Sequence, residues 1–271
     1  MAPSPNVAWL PTKKGGWKLN ILVTGATGLL GSALLNQLSN PLYKVKITSR
    51  SKPVSTGPFE WVYSDLSTGE GIEEAVQGVD VIIHAATSPV KNSKIVEVSG
   101  FEEFLSKIQH INHFIYPSIV GIDEIPLKYY KLKHEAEDLL KNSSIPYTIV
   151  RATQFHNFVE NLFLSKPLFN RYVVPGNIKF QSVDVNEFAS HLIGLVDKGP
   201  QGRTDDFGGP DIMSLREMAE LKIKMNNNSS KVLSFSMPGQ LYRALKDGKN
   251  TNDHQRMGKI TFKDYLKNKM D

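Results

Sequence analysis

The chain has 271 residues, of which 40% are hydrophobic and 22% are charged, and this balance excludes the disordered and fibrous classes. It contains no cysteine, which excludes disulfides, thiolate catalysis and zinc–thiolate sites and fits a reducing, cytoplasmic compartment. The net charge of +5 comes from lysines scattered among acidic residues, and no apolar run approaches the ~20 residues that span a bilayer, so neither a nucleic-acid nor a membrane partner is expected.

The first part of the chain alternates strands and helices. Residues 1–18 are rich in Pro, Gly and Lys, lack the apolar segment of a signal peptide, and are predicted to form a flexible tail. A β-rich run spans Leu19–Thr24, a helical pattern continues from Gly28 to residue 40, and a second strand at residues 44–49 has the spacing of a βαβ crossover. Further strands are predicted at residues 59–63, 79–86, 113–118 and 147–150. This alternation predicts an α/β fold of the Rossmann type, with a doubly wound parallel sheet.

A glycine-rich turn joins the first strand to the first helix. Its sequence, Thr24-Gly25-Ala26-Thr27-Gly28-Leu29-Leu30-Gly31, fits the pattern G-x-x-G-x-x-G. Gly25 suits the tight turn, Gly28 lets the backbone approach a pyrophosphate, and Gly31 lets the helix pack close to the strand. The free N–H groups at the helix start then attract the phosphates. The sequence therefore predicts a dinucleotide site that includes Gly25, Thr27, Gly28, Leu29, Leu30 and Gly31.

The end of the second strand distinguishes NADP from NAD. An NAD site would place an acidic residue there, but the chain has Ser49 and Arg50. A guanidinium can hold a 2′-phosphate with two hydrogen bonds, so NADP is favoured over NAD. The alternative is that these residues form only a solvated turn after the strand, which would have the same sequence pattern. The ends of the next two strands supply further expected cofactor contacts, at Asp65, Leu66, Ala85, Ala86 and Thr87.

A possible catalytic group follows the fifth strand. Ser118 ends that strand, and Tyr129 and Lys133 lie four residues apart on the next helix, so that both project from one face. Tyr129 could donate a proton, Ser118 could polarise a carbonyl, and Lys133 could hold the ribose and lower the pKa of Tyr129. The alternative is a core tyrosine beside a surface lysine. A metal site is not predicted, because His110 and His113 have no carboxylate cluster beside them.

The chain after residue 153 is less regular. Helical patterns cover residues 154–170, 183–196 and 215–225, and the third opens with the capping-box spacing of Ser214 and Glu217. Residues 226–230 are predicted to form a solvated loop. Because these helices lie outside the β/α alternation, we expect them to form a small lobe over the cofactor.

These segments together resemble the short-chain dehydrogenase/reductase superfamily, and specifically its atypical, NmrA-like branch of NAD(P)H-binding proteins. The resemblance runs from residue 19 to residue 266 and rests on TGATGLLG at 24–31, SIVGIDEIPLKYYKLKHEAE at 118–137 and PYTIVRATQFHNF at 146–158. It implies a NAD(P)-binding core over residues 19–153 and a C-terminal part, residues 154–271, that completes the core and forms a small substrate lobe. It also maps the Tyr-x-x-x-Lys pair onto Tyr129 and Lys133. The superfamily's usual Asn-Ala-Gly segment is replaced here by Ala85-Ala86-Thr87.

The expected substrate contacts follow the sixth strand, at Gln154, Phe155, Asn157 and Phe158. Aromatic side chains there could stack on a planar acceptor, although they could equally close the core. The sequence thus predicts a monomeric or homodimeric reductase that transfers hydride from NADPH to a small carbonyl or quinone. Two alternatives stay open: a sensor of the NADPH/NADP ratio without turnover, as some members of this branch are, and a sugar-nucleotide or isomerase-like enzyme that retains NAD.

Overall fold

The computed structural model of the protein describes residues 18–227 and 229–269. The predicted tail therefore lies outside the described residues, apart from Lys18. In chain order the strands of the described residues are β1 (Leu19–Thr24), β2 (Tyr43–Ser49), β3 (Glu60–Tyr63), β4 (Val81–His84), β5 (His113–Ile119), β6 (Tyr147–Ala152), β7 (Arg171–Val174), β8 (Lys179–Phe180), β9 (Gly202–Arg203), β10 (Met213–Ser214) and β11 (Lys231–Ser234).

The helices of the same residues are α1 (Leu29–Leu35), α2 (Ile72–Val76), α3 (Gly100–Ser106), α4 (Lys128–Asn142), α5 (His156–Phe163), α6 (Val185–Val196), α7 (Leu215–Met225), α8 (Gln240–Lys246) and α9 (Phe262–Asn268). A π-helical turn, Ile95–Ser99, runs directly into α3. None of the helices in the described part of the chain is both long and apolar enough to cross a bilayer.

A parallel sheet forms the centre of the fold. Within the described residues its seven strands run in the order β3-β2-β1-β4-β5-β6-β9, and every pair is parallel. The strand order reverses between β1 and β4, which opens a crevice at the carboxyl edge of the sheet, where such sheets bind ligands. The predicted α/β Rossmann-type fold with a parallel sheet is confirmed.

Both faces of the sheet are covered by helices. Alternate residues of β1 point to opposite faces, so Ile21 and Val23 pack in one cluster while Leu22 packs in the other. The first cluster includes Leu34 of α1 and Phe188 of α6, and the second is filled mainly by α2, α3 and α4. Full burial on both faces explains why the first three residues of β4, before His84, are all apolar.

Helix α6 differs from its predicted place in the small lobe. It packs against α1 and joins the main core through Phe188, Ala189 and Leu192. The helical periodicity of residues 183–196 reveals an apolar face, but periodicity does not identify the surface that this face covers. Here α1 ends at Leu35 rather than at residue 40, and α6 covers the remaining part of the sheet face.

A separate cluster lies in the C-terminal half. Strand β7 pairs with β11 and strand β8 with β10, and α5, α7 and α9 pack on them through residues such as Val159, Met218 and Phe262. The predicted capping box is confirmed: the Ser214 hydroxyl accepts from the backbone N–H of Glu217, and α7 begins at Leu215. The helix predicted over residues 154–170 is shorter: α5 ends at Phe163, and the chain then turns back at residues 168–171, where Phe169 and Asn170 have positive φ.

Candidate dinucleotide and substrate cleft

A cleft of about 760 Å³ opens at the carboxyl edge of the parallel sheet. The ends of β1 to β6 form one wall, and α5, α8 and Phe180 contribute to the other. With two exceptions, the residues predicted for the site all line this cleft; the exceptions are Gly31 and Asn157.

The glycine turn at the cleft entrance has no room for side chains. A Cβ on Gly25, which has φ +64°, would lie 2.6 Å from the Cα of Ala86, and a Cβ on Gly31 would lie 2.2 Å from the carbonyl oxygen of Gly25. Gly31 therefore packs α1 onto the turn instead of lining the cleft. No side chain caps α1, so its first N–H groups, at Leu29 and Leu30, face the cleft without intrahelical acceptors. This bare backbone fits the pyrophosphate of a dinucleotide.

The end of β2 carries an unpaired cation. Arg50 lines the cleft, is exposed, and forms no ion pair with any carboxylate of residues 18–227 or 229–269. The Ser49 hydroxyl is already engaged, since it donates to the Ser51 carbonyl at 2.7 Å and accepts from Trp61 Nε1 at 2.9 Å. Asp65 is engaged too, because one carboxylate oxygen accepts from Ser67 N and Ser67 Oγ. Of these groups, Arg50 is therefore the free donor that a phosphate could use.

Hydrogen bonds hold the end of β4 against the glycine turn. The backbone N–H of Ala86 donates to the Thr24 hydroxyl at 3.1 Å, and Thr24 Oγ1 lies 3.2 Å from His84 Nδ1. Burial, together with the charge of Lys133, lowers the pKa of His84 to about 3, so this histidine is neutral at physiological pH. The predicted strand at 79–86 consequently ends at His84, because the next two residues leave the sheet to line the cleft.

Tyr129 lies in the inner part of the cleft and contacts Thr87. Their hydroxyl oxygens are 2.5 Å apart, and Thr87 donates in turn to Glu97 Oε1 at 2.6 Å. Burial, followed by the negative charge of Glu97, raises the pKa of Tyr129 above its usual value. This direction is opposite to the one predicted from the Tyr129–Lys133 spacing, because the spacing reveals neither the burial of the Tyr129 hydroxyl nor the nearby Glu97 carboxylate.

Lys133 is buried beneath this group. Its Nζ donates to the carbonyl oxygen of Pro117 at 3.1 Å, lies 4.0 Å from the ring centre of Tyr116, and forms an ion pair with Glu97 Oε2 at 3.8 Å. Burial lowers the pKa of Lys133, and the Glu97 and Glu137 carboxylates oppose that shift.

The Ser118 hydroxyl does not form a hydrogen bond with Tyr129. Ser118 lines the cleft at the end of β5, but within the described residues the Tyr129 hydroxyl bonds to Thr87 instead. The Ser118 hydroxyl is buried near the Glu137 carboxylate but completes no hydrogen bond with any described residue, whereas Glu137 accepts two hydrogen bonds from Arg151. Burial would raise the pKa of Glu137, but Arg151 and then Ser118 lower it to about 2.

The outer part of the cleft is apolar. Phe155, Phe158 and Leu162 line it from one face of α5 and the residue before it, as their spacing of three and four requires. Asn157 lies off that face and does not line the cleft. The Gln154 side chain donates to Tyr130 OH at 3.2 Å and accepts from Asn250 Nδ2 at 3.0 Å, so its position is fixed from two sides.

Two parts of the site escape sequence reasoning. Helix α8 contributes Leu241 and Leu245, but seven residues with a single apolar pair are too short for a clear periodic pattern. The sequence contains a weak signal for Glu97, because this acidic residue lies between two apolar ones, Val96 and Val98. A carboxylate inside an apolar run is buried only when it has partners.

A Rossmann sheet with a bare glycine turn at the reversal of strand order defines the class of NAD(P)H-binding proteins. A family model described as NAD(P)H-binding matches residues 25–162, so the chain belongs to that family and binds NAD(P)H. This match confirms the NAD(P)H-binding part of the predicted resemblance.

Individual relatives are more distant. The photosystem II assembly factor Ycf39 of Trieres chinensis is 24% identical over 264 residues, which cover 89% of this chain and 82% of that protein. The NADPH complex of the quinone oxidoreductase QOR2 from Escherichia coli has a TM-score of 0.78 at 16% identity, covering 93% of this chain and 100% of the other. The Citrobacter sp. triphenylmethane reductase with NADP(H) has a TM-score of 0.77 at 17% identity, covering 92% of this chain and 99% of the other. At these identities the structural likeness shows the fold alone.

Proposed function

We propose that the protein is an NADPH-dependent reductase that transfers hydride to a small carbonyl or quinone acceptor bound in the apolar part of the cleft. The observation that carries this proposal is a chain of two hydrogen bonds, from Tyr129 to Thr87 and from Thr87 to Glu97. Tyr129 and Thr87 line the same cleft as the glycine turn. Tyr129 provides a hydroxyl that still carries its proton at neutral pH, at a place where a reduced acceptor needs one. The names of the two structural neighbours, a quinone oxidoreductase and a dye reductase, agree with this reaction class.

Each of the cleft residues has a separate role in the proposed reaction. NADPH, when bound, supplies the hydride. Tyr129 donates its hydroxyl proton to the acceptor oxygen, and Lys133 holds the ribose hydroxyls. Phe155 and Phe158 pack on a planar acceptor and keep water from the reaction. Ser118 polarises the acceptor carbonyl: it lines the cleft, and its hydroxyl has no hydrogen-bond partner among the described residues.

The cofactor preference rests on Arg50. Its unpaired guanidinium at the end of β2 suits a 2′-phosphate, and no acidic side chain replaces it there. We therefore propose NADPH rather than NADH as the working cofactor. We also assign residues 19–153 to the cofactor-binding core and residues 154–271 to the completion of that core and a small substrate lobe, in a cytoplasmic monomer or homodimer.

The test follows NADPH absorbance with a panel of quinones and aldehydes. In the variant Tyr129→Phe we expect kcat to fall by about 10² or more, the usual contribution of a positioned acid, while NADPH affinity stays the same. Tyr147→Phe is the matched control, since Tyr147 begins β6 at the opposite edge of the sheet. Equal turnover in wild type and Tyr129→Phe would contradict the assignment of Tyr129.

A second candidate function is a redox-sensing regulatory protein that binds NADP(H) without turnover. It is favoured by the raised pKa of Tyr129, which makes its proton harder to release, and by the relative named as an assembly factor. Tight NADPH binding with no turnover on any acceptor of the panel would support this candidate over the reductase.

A further inference from the structure

The strongest unassigned feature of the cleft is the buried carboxylate of Glu97. Its side chain is 3% exposed, although it belongs to the short π-helical turn before α3. The turn closes with a hydrogen bond from Gly100 N to the carbonyl oxygen of Ile95. A Cβ on Gly100 would lie 1.8 Å from the carbonyl oxygen of Leu66, so only glycine permits this approach. Such turns are frequent at functional sites, and this one places Glu97 under the cleft.

Each carboxylate oxygen of Glu97 has a defined neighbour. Oε1 accepts hydrogen bonds from Thr87 Oγ1 at 2.6 Å and from the backbone N–H of Ser88 at 2.7 Å. Oε2 lies 3.8 Å from Lys133 Nζ. Because a buried charge is tolerated only when it is paired and hydrogen-bonded, these contacts account for its presence among Val98, Phe101 and other buried apolar residues.

The contacts also determine the direction of the hydrogen bond from Tyr129. A carboxylate only accepts, so the single hydroxyl hydrogen of Thr87 is donated to Glu97. Thr87 therefore has only lone pairs to offer Tyr129 across the 2.5 Å contact, and Tyr129 must be the donor. The Tyr129 hydrogen thus points inward, and a lone pair of its oxygen is left for the open cleft.

We propose that Glu97 is the positioning residue of this site: through Thr87 it orients the Tyr129 hydroxyl, and it neutralises the Lys133 ammonium beneath. This inference rests on the proposed reductase function and deepens it. When the acceptor carbon receives the hydride in a new C–H bond, the C=O π pair moves onto the acceptor oxygen, and the Tyr129 O–H rotates toward that oxygen. The O–H bond of Tyr129 then breaks as a new O–H bond forms on that oxygen, and Tyr129 regains a proton from water after product leaves the open cleft.

Glu97 also sets the pH range in which Tyr129 keeps its proton. The charged and titratable groups that face it or Tyr129 come from three elements: His84 of β4, Tyr116 of β5, and Tyr130, Lys133 and Glu137 of α4. Burial holds His84 neutral and raises the pKa of Tyr116, and Glu137 stays ionised with its pKa near 2, so none of these three changes charge between pH 6 and the alkaline range. Burial also raises the pKa of Tyr130. The groups left to titrate on the alkaline side are Lys133, Tyr129 and Tyr130, and of these three Glu97 acts on the pKa of Lys133 and Tyr129.

The sign of the effect follows from charge. Removing the negative charge of Glu97 takes a stabilising partner from the Lys133 ammonium and a repelling neighbour from the Tyr129 phenolate. Both changes make proton loss easier. In Glu97→Gln, which keeps an acceptor for Thr87, the alkaline limb of kcat/KM should move to lower pH by about one unit, the lower end of the range for a neighbouring charge. Glu102→Gln, an exposed carboxylate of α3, is the matched control and should not move it.

A second measurement does not depend on turnover. The ultraviolet alkaline titration of tyrosine is recorded for wild type and Glu97→Gln, each minus its own Tyr129→Phe partner, so that the difference reports Tyr129 alone. We expect Tyr129 to ionise at lower pH in Glu97→Gln. Should Glu97→Gln fail to fold, Thr87→Val replaces it: we expect an altered Tyr129 titration that Thr87→Ser restores.

The outcomes separate the two proposals. Absence of turnover in wild type overturns the reductase but leaves the titration to decide the role of Glu97. An unchanged pH profile together with an unchanged Tyr129 titration overturns the Glu97 proposal even when the enzyme is active.

Discussion

Arg50 shows how one side chain can select a cofactor. It is exposed at the end of β2, lines the cleft and has no ion pair within the described part of the chain, whereas its neighbour Ser49 is hydrogen-bonded to Ser51 and Trp61. A guanidinium is charged at every physiological pH and can bind a phosphate with two hydrogen bonds. We therefore expect the discrimination between NADPH and NADH to depend on Arg50 more than on the serines beside it.

The variant Arg50→Asp tests this dependence. We expect the affinity for NADP relative to NAD to fall by at least about tenfold, because hydrogen bonds between charged groups contribute about 1.5–3 kcal/mol and the new carboxylate repels the phosphate. Calorimetric titration with both nucleotides measures the ratio. Lys52→Asp is the control, since Lys52 lies over the Trp61 ring outside the cleft lining. An unchanged ratio in Arg50→Asp would show that NADP preference has another source.

At the scale of elements, we expect the contact between α1 and the glycine turn to determine whether the backbone can receive a pyrophosphate. Gly31 has no role inside the cleft, yet its missing side chain lets the helix lie against Gly25 and Ala26. The same residue type has no such constraint in α6, where a Cβ on Gly194 meets no atom within 4 Å. The two glycines therefore offer a matched pair of substitutions.

In Gly31→Ala we expect a loss of about 1–3 kcal/mol in the free energy of unfolding, typical of overpacking, together with weaker NADPH binding. In Gly194→Ala we expect a gain of about 0.5–1 kcal/mol, because alanine has the higher helix propensity, and unchanged binding. Urea unfolding and calorimetry measure both quantities. Equal behaviour of the two variants would mean that α1 does not need its close approach to the turn.

At the scale of the whole molecule, a buried carboxylate joins three helices of the C-terminal half. Glu160 of α5 accepts from Lys222 of α7 at 2.7 Å, and from Tyr265 of α9 and Lys269 just beyond it at 2.6 and 2.7 Å. Burial would raise the pKa of Glu160, but the hydrogen bonds from Lys222 and its neighbours lower it to about 2. Helix α5, which contributes to the outer wall of the cleft, is thus held to α7 and to the end of α9 partly by charge.

This network predicts a pH dependence of stability. The folded pKa of about 2 lies below the unfolded value of ~4.3, so the stabilisation is complete above that value and is lost as the pH falls from there toward 2. In Glu160→Gln we expect a smaller loss of unfolding free energy over this acid window, and a stability at pH 7 lower by about 3–5 kcal/mol, because Lys222 stays buried without its partner.

Urea unfolding at a series of pH values measures both effects, and the exposed Glu220→Gln in α7 is the control. Since Glu137 also has a lowered pKa, some acid sensitivity should persist in Glu160→Gln. Identical pH profiles of wild type and Glu160→Gln would contradict this account.

Much of the fold could be predicted from the sequence alone. Strand Leu19–Thr24, the glycine turn after it and the capping box before α7 are encoded by residues close together in the chain, where backbone preferences and short-range hydrogen bonds decide the conformation. The same local patterns led to the NAD(P)H-binding class. The position of α6 could not be predicted from the sequence, because its apolar face could cover either the main sheet or the lobe.

The tertiary structure alone decided which side chains meet at the inner end of the cleft. Tyr129 bonds to Thr87, 42 residues away, and Glu97 reaches the same point from a π-helical turn. No pattern along the chain specifies such a meeting, because it depends on how the ends of separate parallel strands converge at one edge of the sheet. The helical spacing of Tyr129 and Lys133 correctly puts both on one face of α4. The Glu97 carboxylate, which affects the pKa of both, comes from a distant segment.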